Sequence, residues 1–320
     1  LQDFALQGVK PEGKVNISYT DVPVEFKDGT VVTLRKPTLK ITELAFGEMH
    51  PKTEFSARVA PPMIGLGLLE SIPQETILGF AEQQLADKQG ISGKANHVLD
   101  VKTNEMTLGR FGWKAGQPNL MQQNAAAFNG DLGLTSRLFP KENCTSAQST
   151  CDDFPNGGEP EVSDNILDFV EFYSQHLAVP IRRNVDNPAV VQGKQLFKDI
   201  GCQSCHQAEI RTAEREGLPA LSKQLISPYT DMLLHDMGEG LADNRPEYLA
   251  NGQEWRTTPL WGLGYTKEVN GHTFLLHDGR ARNVMEAVLW HGGEAEMAKQ
   301  NVLSLNATER EALLAFLNSL

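Results

Sequence analysis

The sequence predicts a mainly α fold. A helical C-terminal domain, residues 161–320, follows an irregular, loop-rich N-terminal portion, residues 1–160, that contains a few short β-strands. Three observations lead there. Helix-start signals and helix-spaced apolar residues concentrate after residue 160. Short alternating apolar–polar runs lie before residue 60. The polar, Pro- and Gly-bearing tract 140–162 separates the two regions.

Taken in order, Val15-Asn16-Ile17-Ser18-Tyr19 and Val31 to Leu34 read as strands around an Asp28-Gly29 turn. Pro61-Pro62 punctuates the chain. Ser71 to Gln74 has the S-x-x-Q form of a capping box, opening a helix to about Leu85. Residues 87–117 read as a long ordered loop; within it, Asp87-Lys88-Gln89-Gly90 has one acid, too few for a calcium loop. Leu120 to Phe128 reads as a short helix. Ile166, Phe169, Val170, Tyr173 and Leu177 have helical spacing. Asn187 as N-cap and Pro188 in the first turn open a helix that runs to about Ile200 and stops at Gly201. A final helix is expected behind a capping box at Thr308 and Glu311.

Composition narrows the function classes. The chain has 320 residues, 40% hydrophobic, which suffices for a sizeable core. A net charge of −12 disfavours nucleic acid, whose binding needs Lys and Arg against phosphate. No stretch approaches the ~18 apolar residues of a membrane span. The chain begins Leu1-Gln2-Asp3, without initiator Met or signal-peptide character. Either a targeting segment has been removed or the chain is part of a longer one.

The strongest signal is Cys202-Gln203-Ser204-Cys205-His206, the C-x-x-C-H pattern of c-type haem attachment. Two thiols add to the two porphyrin vinyl groups, and the next residue presents its imidazole to the iron as proximal ligand. A redox C-x-x-C pair or a zinc half-site is the competing reading. The motif follows a helix end, however, and the only other cysteines lie far upstream. A capped amphipathic helix before the motif and another at the chain end complete a cytochrome c-like arrangement, with Gly193, Phe197 and Phe316 as expected helix–helix contacts. Covalent haem implies export to an oxidising compartment, here the bacterial periplasm. There Cys144 and Cys151, with six residues between them on a polar loop, are expected to form a local disulfide.

The sixth iron ligand separates electron transfer from catalysis. His291 ends the run Ala287-Val288-Leu289-Trp290-His291 and precedes Gly292-Gly293. His235 and Met237 form the rival pair. Arg280 and Arg282 are expected partners for haem propionates, because guanidinium pairs well with carboxylate.

His277-Asp278-Gly279-Arg280, then Ala287-Val288 and His291, resemble the C-terminal stretch of bacterial dihaem cytochrome c peroxidases. There a Met stands where this chain has His291. The line from Leu233-Leu234-His235-Asp236-Met237-Gly238 through Trp255 to Gly264 and on to His277 resembles the dihaem oxidoreductases, also described as thiol oxidoreductases. The resemblance covers the chain from about residue 60 onward. It implies an oxidoreductase, with small redox proteins as electron donor or acceptor and hydrogen peroxide as substrate. It also implies a second haem, whereas this chain has one attachment motif. Phe111-Gly112-Trp113-Lys114-Ala115 followed by Gln123 resembles the peroxidase segment whose Trp lies between the haems and whose Gln lines the peroxide pocket. Asp131 resembles the pocket acid, offset by two residues. The resemblance thus marks Trp113, Gln123 and Asp131 as catalytic, and Cys202, Cys205, His206, His277, Arg280, Arg282 and His291 (or Met237) as haem-binding. With two His ligands in place of Met and His, a lower reduction potential is expected.

Overall fold

A computed structural model describes residues 1–87, 90–149, 151 and 154–320. The Asp87–Gly90 tract includes Lys88 and Gln89, outside the described residues, so the reading made of it there stays a sequence expectation.

The strand-like pattern near the N-terminus becomes a long antiparallel hairpin, β1 (Lys14–Glu25) and β2 (Val31–Thr42), with Val22 opposite Leu34 and Val24 opposite Val32. Gly29 takes a φ of 85° in the turn, where an L side chain would be strained. Beside the exposed turn, Phe26 and Leu34 are buried and join a core cluster with Trp255, Leu289, Leu313 and Phe316. Arg310 reaches Asp28 at 2.7 Å, and the Arg35 guanidinium donates to the carbonyls of Gly279 and Arg280, each at 2.9 Å. The opposite end, Lys14 to Asp21, stands in solvent.

The chain continues through α1 (Leu66–Glu70), α2 (Gln74–Asp87), a hairpin of β3 (His97–Asp100) and β4 (Glu105–Leu108), α3 (Leu120–Leu132) and α4 (Asp164–His176). Next come α5 (Pro188–Asp199) and two more small sheets. One pairs β5 (Ile210–Arg211) with β6 (Leu225–Ile226), the other β7 (Leu234–Asp236) with β8 (Glu254–Arg256). Helices α6 (Thr266–Asn270), α7 (Val284–Trp290), α8 (Glu296–Leu303) and α9 (Ala307–Leu317) complete the fold.

The expectation of a mainly α protein is therefore corrected. Helix makes up 33% and strand 16%, the strands forming several small antiparallel sheets. Strands of two to four residues are too short to show a period. In the long hairpin, Pro23 and Pro37 interrupt the alternation, so only its ends were legible.

Two capping assignments also change. Ser71 does not open α2; it closes α1, its hydroxyl donating to the Gly67 carbonyl at 2.7 Å. The last capping box is Asn306 with Glu309, two residues earlier than expected. Asn187 does cap α5, accepting from the Ala189 amide at 2.9 Å.

The closest helix pair is α5 against α9. A Cβ on Gly193 would overlap the Ala312 carbonyl oxygen and lie 2.7 Å from Phe316 Cβ, so only glycine permits this backbone approach. Phe197 and Phe316 meet with ring centroids 5.3 Å apart, as the sequence suggested. A second cluster centres on Leu69, Ile77, Leu120 and Leu233. Both clusters draw on residues from either side of residue 160. Among the described residues no helix is long and apolar enough to cross a membrane.

Gly193→Val should lower stability by about 1–3 kcal/mol through overpacking. Gly79→Ala in α2, whose new methyl meets nothing within 4 Å, should be neutral or stabilising by about 0.5–1 kcal/mol. Thermal unfolding of both variants checks this; equal shifts would contradict the α5–α9 contact.

Candidate haem site

The α5–α9 crossing sets the position of the C-x-x-C-H turn. Gly201, with a φ of 100°, ends α5 and turns the chain into the short helical segment Cys202–Ser204. His206 N donates to the Cys202 carbonyl at 3.1 Å and closes the turn. Both thiols are free and partly buried. Burial pushes the Cys202 thiol up to about 12. Burial also raises Cys205, against the opposing hydrogen bond with His235.

His206 Nδ1–H donates to the Tyr229 carbonyl at 2.8 Å. That bond fixes the tautomer and leaves the lone pair on Nε2. Burial lowers the His206 pKa to about 4, so the ring is neutral. His291 repeats this arrangement. It caps the C-terminus of α7, and its Nδ1–H donates to the Ala287 carbonyl at 2.7 Å. Burial lowers its pKa too. Cys205, next to His206, and Glu294, three residues after His291, both meet His235 Nδ1, at 3.8 and 2.6 Å, so the turns that carry the two imidazoles flank one ring. Among the described residues neither Nε2 has a hydrogen-bond partner. Two neutral imidazoles with free Nε2 atoms, beside two free thiols in C-x-x-C-H order, suit a haem with two histidine ligands. The residues present fit that group.

The rival ligands differ. Both ring nitrogens of His235 face carboxylates: Nε2 lies 2.8 Å from Asp231 Oδ2 and Nδ1 lies 2.6 Å from Glu294 Oε2. Neither nitrogen is free for iron. Cys205, Asp231 and His235 do bring potential metal-ligand atoms within 4.8 Å of one another. The imidazole's two positions are, however, already taken by hydrogen bonds. Met237 is partly buried at the edge of the core, and its carbonyl lies 3.1 Å from where a Gly292 Cβ would stand.

The two expected propionate partners are engaged within the protein. Arg280 chelates Asp278, with Nε 2.8 Å and NH2 2.7 Å from Oδ2, and lies over the Trp290 ring at 4.7 Å. Arg282 pairs with Glu286 at 2.8 Å. His277 is buried and stacks on Trp255, centroids 3.7 Å apart and planes at 11°. Trp113 meets the same His277 edge-on at 6.5 Å, and its indole N–H donates to the Val59 carbonyl at 2.8 Å.

The three residues marked as catalytic are not joined by any hydrogen bond or ring contact among the described residues. Gln123 lies in the first turn of α3, its Oε1 buried and without a partner. Asp131 is exposed in the last turn, eight residues and about 12 Å of helix further on. The Cys144 and Cys151 sulfurs are in contact, with Cα atoms 6.4 Å apart.

Sequence reasoning missed the polar scaffold around this region. Lys114 is fully buried; its ammonium lies 2.8 Å from Asp243 Oδ1, and the carbonyls of Arg245 and Asn251 accept at 2.8 and 2.7 Å. The same ammonium sits over Trp255 at 4.4 Å. No periodicity marks a buried lysine; its place beside Trp113 in a Gly-flanked turn was the one available signal.

A family model described as "Di-haem oxidoreductase, putative peroxidase" matches residues 2–320. The chain belongs to the di-haem oxidoreductase family. No curated protein and no solved structure matches it. Membership in the di-haem oxidoreductases implies haem cofactors and oxidoreductase chemistry and is in keeping with a peroxide substrate or a redox partner. One C-x-x-C-H motif occurs in this di-haem oxidoreductase chain.

Burial lowers the His277 pKa to about 4, against 6.5 in an unfolded chain. Between these values the unfolded chain binds the extra proton, so stability is full above about pH 6.5 and falls as pH drops toward 4. One such histidine accounts for on the order of 3 kcal/mol over that window. His277→Phe keeps a ring on Trp255 and removes the titration. Its unfolding free energy should therefore fall less than that of the wild type between about pH 7 and pH 4.5 in denaturant titrations. Equal falls would contradict a neutral, buried His277.

Proposed function

We propose that this chain is an exported, periplasmic c-type cytochrome of oxidoreductase function. It holds one haem c on Cys202 and Cys205 and passes single electrons to or from a small redox protein. The observation that carries this reading is the pair His206 and His291, each with Nδ1 tied to a backbone carbonyl and Nε2 left free. When bound, the haem supplies one-electron redox chemistry. Cys202 and Cys205 would hold it covalently, and His206 and His291 would offer their Nε2 lone pairs to its iron. The Tyr229 and Ala287 carbonyls keep both rings in the ligating tautomer. An iron held by both His206 and His291 would have no vacant position for peroxide, which favours relay over catalysis at this motif. Peroxide reduction then belongs to the family's second haem, with Trp113, Gln123 and Asp131 bordering that pocket. The contact of Cys144 with Cys151 on an exposed loop supports a disulfide, and so an oxidising compartment.

The test is a haem-to-protein ratio with ferric and ferrous spectra on protein matured by a cytochrome c assembly system. The expected result is one covalent haem per chain, low-spin ferric iron and no methionine–iron band in the far red. His291→Met should raise the reduction potential, and Cys202→Ser with Cys205→Ser should abolish covalent attachment. A high-spin ferric spectrum in the wild type would overturn the His291 assignment.

In a full-length protein carrying both haems, Gln123→Ala should reduce peroxide turnover by about a hundredfold or more if its Oε1 serves the pocket. Unchanged turnover in both Gln123→Ala and Asp131→Asn would remove the pocket assignment.

A further inference from the structure

A buried charge cluster lies beside the haem motif, and the proposed function does not use it. His235, on β7, is 2% exposed, and Asp231 is 0% exposed. Burial alone would discharge His235, yet hydrogen bonds to Asp231, Cys205 and Glu294 hold its pKa well above the ordinary value. The imidazolium therefore donates in two opposite directions, to Asp231 and to Glu294.

Each carboxylate anchors a different part of the site. Asp231 accepts from Gln84 Nε2 at 2.8 Å, and the same amide nitrogen donates to the Ser204 carbonyl at 2.9 Å, inside the C-x-x-C-H turn. Cys205 Sγ lies 3.8 Å from His235 Nδ1. On the other side, Glu294 accepts from the Ser92 amide at 3.1 Å and its hydroxyl at 3.0 Å. Glu294 begins just three residues after His291. Between them, Gly292 and Gly293 press on the end of β7. A Cβ on Gly293 would overlap the Asp236 carbonyl oxygen, and one on Gly238 would lie 2.9 Å from Gly293 N.

One charged ring thus ties together the turn that carries His206 and the turn that carries His291. The two glycines allow the backbones to meet, and the ion pair fixes their register. A charge-assisted hydrogen bond in so dry a setting is strong and directional.

We propose that His235, held between Asp231 and Glu294, is a positioning residue that keeps His291 in place as the distal haem ligand. This rests on the assignment of His206 and His291 as the axial pair. His235 touches neither iron nor substrate; it acts through Glu294 and the Gly292–Gly293 turn. Losing the clamp frees that turn, and the distal position opens to small ligands.

The experiment compares haem-loaded wild type, Glu294→Ala and Glu294→Gln. Glu294 lies at the rim of the cluster with its side chain 12% exposed, so its truncation spares the core better than changing His235. The readouts are the high-spin fraction in the ferric spectrum and carbon monoxide binding to the ferrous protein, with thermal unfolding as a parallel measure. Glu294→Ala should increase carbon monoxide binding by about tenfold to a hundredfold, the cost of one lost hydrogen bond to a charged group. Glu294→Gln, whose carbonyl can still accept from His235, should restore most of the closed state. A purely structural role would lower the melting temperature and leave the coordination spectra unchanged. That result in Glu294→Ala overturns the proposal. A wild type that is not low-spin with two histidine ligands overturns the axial assignment itself, and the two failures are distinguished by the wild-type spectrum alone.

Discussion

The constraint on which the candidate site depends is the passage of α5 across α9 at Gly193. No side chain separates the two backbones there, because a Cβ on Gly193 would overlap the Ala312 carbonyl oxygen. Everything downstream inherits that distance. Gly201 turns the chain off the end of α5, so the position of α5 fixes where the two thiols and His206 stand. Phe197 and Phe316, packed beside the crossing, also wall Tyr229, whose carbonyl orients the His206 ring. A displacement at the crossing would be felt at the imidazole as a change of tautomer and direction, not only as lost packing.

The second organising feature is the way the N-terminal hairpin is held. Its turn faces solvent but is tied down; Asp28, Thr30 and Arg35 bind the hairpin to α9 and to the Gly279–Arg280 backbone. The residues that would be free to meet ligand carboxylates, Arg280 and Arg282, are instead spent on Asp278 and Glu286. The guanidinium groups of Arg35 and Arg282 clamp the loop after His277 to the hairpin, through the Gly279, Arg280 and Thr33 carbonyls.

What could be read from the sequence followed local chemistry. The C-x-x-C-H spacing, the Asn187-Pro188 helix start and the Gly193–Phe316 crossing are set by nearest neighbours or by one residue type at one place, and they were legible. The small sheets were not, because strands such as Ile210–Arg211 have no period to detect and exist only through their partners. Ser71 was misplaced because a serine at a helix boundary can serve the end of one helix or the start of the next. The His235 cluster joins Gln84, Ser92, Asp231 and Glu294, with Ser92 and Glu294 bonded across 202 positions, so only the folded chain reveals it. His291 stood out in sequence because it follows an apolar run; the orientation of its ring comes from one backbone carbonyl four residues earlier, which the sequence pattern does not show.

Lys114 and Asp243 show what a fully buried ion pair does to a chain over evolutionary time. Removing Asp243 leaves the Lys114 ammonium facing carbonyl oxygens alone, whereas Asp243 without Lys114 keeps the Ser56 hydroxyl at 2.7 Å and the Arg58 guanidinium at 3.8 Å. The two positions are 129 residues apart, yet a neutral replacement at either is costly until the second change arrives. Selection therefore acts on them as a single locus. A lineage can leave this arrangement only by crossing a less stable intermediate, or by first gaining enough stability elsewhere to survive the crossing.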